Sequence, residues 1–165
     1  MQEYILELIA RMTATEDRCL NSDDSVAWHA HREAETLSDS STVDELAEYV
    51  NEERNNKRRG AAYFILGRLG PKVRDIDCAS ILLLRLSDEQ DKYVLSSLLD
   101  ALSWIRKPRS LDLEPVYRLL SDDRWSVRHS AIQSLRLTET SDRTLGEDDR
   151  PIRHDLLPCH VQRNR

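Results

Sequence analysis

Two sets of apolar residues return along this chain in register, once every 33 to 36 residues, and few folds can accommodate that. Val43, Leu46 and Val50 stand at i, i+3 and i+7, which places them on one helical face. The same trio recurs as Ala79, Leu82, Leu86 and as Leu113, Val116, Leu120, after shifts of 36 and 34 residues. A second stripe follows each of these. Ala62 and Leu66 match Leu98 and Leu102, then Ala131 and Leu135, after shifts of 36 and 33. Two helical faces repeating in step describe a two-helix unit copied along the chain, each copy hiding its apolar face against the next.

The residues between the stripes agree. Ser41 and Thr42 with Glu45 offer a capping box, Pro71 after Gly70 is placed to stop a helix, and Pro108 is placed to end another. Asp112 can cap the next helix, whose early Pro115 suits a first turn, while Asp122 and Asp123 suit a turn. Helices are expected at 42–54, 57–69, 75–87, 91–106, 112–121 and 124–137. Tyr4, Ile5, Leu8, Ile9 and Met12 form a further amphipathic stripe, and Val26, Ala27, Ala30, Ala34 and Leu37 a weaker one. The fold class is therefore all-α: an α-α superhelix, or solenoid, of about three to four stacked hairpins in one domain over residues 1–137. Residues 1–40 are its divergent N-terminal hairpin and 41–137 its three repeats. The 138–165 segment, broken by Gly146, Pro151 and Pro158 and thin in apolar residues, reads as an irregular or flexible tail.

Composition narrows the function. A chain with 33% charged residues and only 39% hydrophobic ones suits a thin layered shape with much surface. A net charge of −6 speaks against general nucleic-acid binding and against an anionic membrane, and favours a basic partner. Cys19, Cys78 and Cys159 are odd in number and far apart, so neither a disulfide framework nor a zinc site is indicated. With no basic leader and no long apolar run, the expected compartment is the cytoplasm.

Chemical motifs are scarce. His29, His31 and Glu33 invite a metal reading, as does Cys159 beside His160, but only His29 and Glu33 share a helical face, and two ligands are too few. No phosphate-binding loop, dinucleotide fingerprint or nucleophile elbow is present, so no catalytic residue, metal or cofactor is assigned.

The stretch from Leu120 through Asp122, Asp123, Val127, Arg128 and Ala131 to Leu135 resembles the HEAT-like repeats, including the short type named after phycobilisome lyases. Arg59, Ala62, Leu66 and Gly67 form a second match, while the middle copy has Leu95 where the Arg would fall. The resemblance covers about residues 41–137. It implies structural roles for Arg59 and Arg128, pairing with acids such as Asp88 or Asp122. It also implies that the second helices line a concave side. Their outward stripes are Gly60, Phe64 and Gly67; Ser96, Asp100 and Ser103; and His129, Gln133 and Arg136, the expected partner-binding face. Trp125 lies in a polar turn, and two readings stay open for it: an interface anchor, or a cover for the adjacent helix end. Trp104 continues an apolar stripe and is expected in the core; Trp28 finds no place.

The leading expectation is a non-enzymatic module that presents a concave helical surface to a protein or peptide. One alternative is an acidic inhibitor or immunity protein for a basic toxin. The other is an enzyme on the same scaffold, a chromophore lyase or a base-excision enzyme, for which Cys78 is the only repeat cysteine.

Overall fold

A computed structural model describes residues 3–15 and 24–139. Its eight helices are α1 (Glu3–Met12), α2 (Val26–Ala34), α3 (Ser41–Glu52), α4 (Asn56–Val73), α5 (Asp75–Leu86), α6 (Lys92–Ser103), α7 (Glu114–Leu119) and α8 (Trp125–Ser134). Among the described residues there is no strand, only an isolated bridge between Lys107 and Thr138. None of the described helices is long and apolar enough to cross a membrane. The expectation for the C-terminal tail falls on residues 140–165, outside the described residues. Thr138 and Glu139 belong to the folded part, because the Glu139 amide donates to the Lys107 carbonyl at 3.0 Å.

The helices from Ser41 onward form three hairpins, α3/α4, α5/α6 and α7/α8, that stack in two layers. α6 is packed extensively between α4 and α8, while α5 touches α3 and α7 in the other layer. Both stripes read from the sequence face inward: Val43, Leu46, Leu66, Leu82, Leu98, Leu102, Val116 and Ala131 are buried, with Leu120 and Leu135 partly so. Burying a leucine of this kind contributes roughly 1.5–3 kcal/mol. The N-terminal pair closes the stack through α1, which lays Ile5, Leu8, Ile9 and Met12 against α2 and α4.

The hairpins repeat at finer grain than the apolar pattern. The N-cap residues of α4, α6 and α8 are Asn55, Asp91 and Arg124, and two residues before each stands an acid: Glu53, Glu89 and Asp122. Each carboxylate accepts the backbone N–H of its own N-cap, at 2.7, 3.0 and 2.9 Å. Four residues past the cap, Arg59 donates to the carbonyls of Glu53 and Arg54, and Arg128 donates to the equivalent carbonyls of Asp122 and Asp123. The middle hairpin has Leu95 at this position, and its turn is held from both sides instead. Arg59 reaches forward to the Glu89 carboxylate at 2.8 Å, and Arg124 reaches back to the Gln90 carbonyl at 3.1 Å. Asn56 adds a 2.9 Å bond to Asp91 across the same seam.

Several local expectations need correction. Arg59 pairs with Glu89 and not with Asp88, which is exposed and only 3.9 Å from Arg85. Arg128 takes the carbonyl of Asp122, because Arg124 already occupies that carboxylate at 2.7 Å and holds its carboxyl down to about 2. Pro71 does not stop α4, which runs on to Val73. A proline removes only its own amide, here the bond to Gly67, and Gly70 keeps a negative φ, so the last turn closes through the Arg74 amide on the Gly70 carbonyl. The capping box at Thr42 is replaced by Asp39, whose carboxylate accepts from the Ser41 amide at 2.9 Å. Trp104 is no core residue: it follows α6 on the exposed side, the indole is 51% exposed, and Ile105 beside it is the one that enters the core.

Among the described residues one charged side chain is fully buried. The Lys107 ammonium donates to the carbonyls of Leu102 and Ile105, at 2.7 and 2.6 Å, and so closes the C-terminal end of α6. Burial pushes it down to about 8, against a smaller opposite pull from Asp75.

Candidate functional site

Where α4, α6 and α8 lie side by side, their outer faces line a groove of about 970 Å³. α4 supplies Gly60, Ala61 and Phe64; α6 supplies Tyr93, Ser97, Asp100 and Trp104; α8 supplies Gln133; and Met12, Ala14 and His31 close it at the N-terminal end. The groove exists because the helices carry small residues where they meet. A Cβ on Gly67 would stand 2.7 Å from Ala101 Cα and 2.9 Å from its carbonyl oxygen, so only glycine lets α4 approach α6 this closely.

One wall is fixed by stacked rings and a cation. The Arg68 guanidinium lies 3.8 Å from the centroid of Trp104 and 5.1 Å from that of Phe64, and an Arg68 nitrogen stands 3.2 Å from Glu35. His31 meets Phe64 edge-on at 4.9 Å and is tied through Nδ1 to the Ala27 carbonyl at 2.8 Å. Rings held in this way cost little ordering when something docks on them.

The floor carries Asp100. It is reachable from the groove, yet the walls displace enough of its hydration to raise its carboxyl; a bond with Ser130 and the nearby His129 act in the opposite direction. Asp91, the other acid in the lining, is already committed. It caps α6 through the Tyr93 and Val94 amides at 2.9 and 3.1 Å, and these bonds hold its carboxyl low.

Of the face expected from the sequence, Gly60, Phe64, Asp100, Ser103 and Gln133 line the groove. Ser96 does not: Ser97 takes that place, one residue along, on the line that joins Tyr93 to Asp100 and Trp104. Gly67 is buried against α6. His129 and Arg136 are exposed but outside the lining, as is Trp125, whose ring stays 72% exposed with its centroid 6.4 Å from that of His129 and covers no helix end. Trp28 is half-exposed on α2, with Arg32 5.9 Å from its centroid. Sequence reasoning missed Trp104, Tyr93 and the α1 contribution. The signal that could have found Trp104 is its distance of one turn from Asp100.

Little here suggests bond-breaking chemistry. Cys78 is buried, and desolvation pushes its thiol up to about 12, far from a usable thiolate. Among the described residues no group of three or more His, Cys, Asp or Glu is placed to hold a metal ion; Cys19 and Cys159 lie outside those residues. Comparison with family models, with curated proteins and with solved structures finds no match to the chain.

Proposed function

We propose that this chain is a short HEAT-like superhelix acting as a non-enzymatic interaction module, which grips an extended segment of a partner protein in the groove across α4, α6 and α8. The observation that carries this reading is the preformed aromatic wall of Phe64 and Trp104, locked by Arg68 beside a floor of small residues. A groove that sets aromatic rings among polar side chains such as Asn56, Ser97, Asp100 and Gln133 offers a peptide both apolar contact and hydrogen bonds. The net charge of −6 favours a basic partner, within which a basic toxin held by an inhibitor is a special case. A lyase role through Cys78 is disfavoured by that thiol's burial.

The test is site-specific photocrosslinking. A benzophenone side chain at Ser97, inside the groove, should give a discrete protein adduct in the native cell, and the same probe at exposed Leu84 should not. Adding Trp104→Ala should reduce the adduct by about tenfold, as loss of an aromatic anchor does. An adduct pattern that ignores Trp104, or is the same from both probe sites, would overturn the reading.

A further inference from the structure

Asp100 has His129 nearby but no Lys or Arg partner, which sets it apart from four other acids of the chain. Glu35 meets Arg32 and Arg68, Glu89 meets Arg59, Asp122 meets Arg124, and Glu33 meets Arg11. Among the described residues no Lys or Arg stands within ion-pair distance of the Asp100 carboxylate, whose own bond is to the Ser130 hydroxyl. Asp100 is exposed along the groove, with the Ser130 hydroxyl and His129 beside it, so an incoming cation reaches it without displacing a Lys or Arg.

We propose that Asp100 is the seat for a lysine or arginine side chain of the segment that occupies the groove, so that the module reads a basic residue flanked by apolar ones. This rests on the groove reading above and adds the chemistry of the occupant. One turn along α6 stands Trp104. Arg68 covers one face of its ring, and the indole remains half-exposed, so it offers a flat surface to the aliphatic stem of the incoming residue. Phe64, Ala61 and Ala101 then meet its apolar neighbours. Lys57, near the start of α4, also lines the groove, but Asp91 and Asp100 outnumber it and the chain as a whole is negative, which disfavours an acidic segment.

The experiment uses the full-length chain and short synthetic peptides with an alternating leucine and serine background, whose central residue is lysine, arginine, norleucine, glutamine or glutamate. Norleucine keeps the stem of lysine and lacks its charge. Lysine and arginine peptides should bind about tenfold tighter than norleucine, and glutamate peptides weakest. Asp100→Asn should bring lysine and norleucine within roughly threefold of each other, and Asp100→Lys should turn the preference toward glutamate. Circular dichroism melts establish that the variants are folded. Equal binding of lysine and norleucine, or a preference that survives Asp100→Asn, overturns the proposal. If such charge-blind binding still collapses with Trp104→Ala, the groove reading stands without it; if binding ignores Trp104 as well, both fall. A concentration-dependent dimer that Asp100→Asn disperses, with no peptide preference, would assign the groove to a second copy of the chain and also overturn it.

Discussion

The turns that start α4, α6 and α8 and the groove between those helices are built from the same kinds of residue, yet they treat charge in opposite ways. At the turns Glu53, Glu89 and Asp122 each accept from a backbone amide, and Arg59 alone makes bonds to Glu53, Arg54, Asn56 and Glu89. In the groove Asp100 has no Lys or Arg partner, while Arg68 is spent on rings and on Glu35. Paired charges hold a geometry; an exposed carboxylate without a Lys or Arg, beside fixed aromatic rings, is open to a partner. Changes at the seams and turns should therefore cost stability, and changes in the groove should cost binding.

The most damaging change expected is Gly67→Ala. Its new methyl would meet the Ala101 backbone, which cannot swing aside like a side chain, so α4 and α6 must part, for a loss of about 3 kcal/mol in urea unfolding. A loss below about 1 kcal/mol would show that the seam yields. Next comes Arg59→Met, which strands the nearly buried Glu89 and frees two carbonyls; about 2–3 kcal/mol is expected, with peptide binding otherwise unchanged in the folded fraction. A double-mutant cycle with Glu89→Gln should recover part of that loss, and strict additivity of the two would contradict the pairing.

A smaller effect concerns the buried lysine. Because Lys107 titrates near 8 when folded and near 10.5 when free, the folded chain holds fewer protons across that window, and the stability contributed by this group rises as pH rises through it. Lys107→Met lacks that rise. The stability of the unaltered chain relative to the variant should therefore grow by on the order of 2 kcal/mol between those pH values, and a pH-independent difference would refute it. The smallest effect belongs to Asp100→Asn. Its carboxyl is raised in the folded chain, so ionisation opposes folding once pH exceeds the unfolded value, and the variant should melt at the same temperature or slightly higher at neutral pH. A clear loss of stability would move Asp100 from the groove's function to the fold's support.

The layers were legible because apolar spacing is a local, periodic signal: Leu46, Leu82 and Val116 could be aligned by counting, and all three are buried. The turn device was also written in the sequence, as an acid two residues before each cap with the same shifts as the second stripe, but it shows only once the caps are known. The choice between Ser96 and Ser97 turns on a rotation of one residue, finer than a stripe of two leucines can fix. Trp104 was misread because it continues the line of Tyr93, Ser97 and Asp100, whereas Ile105 is the residue that extends the buried line of Leu98 and Leu102. Lys107 gave no signal, since a lysine is buried here by the carbonyls of a helix end, and composition does not encode where those point.

The leucine at position 95 sets a limit on copy number. Its hairpin takes the guanidinium it lacks from the unit before and from the unit after, so the middle unit is complete only between two unlike neighbours. A tandem duplicate of residues 75–110 would create a junction where an acid meets leucine and a carbonyl meets no arginine. The middle hairpin is thereby tied to its place between these two neighbours, and a second copy of it would lose its holds.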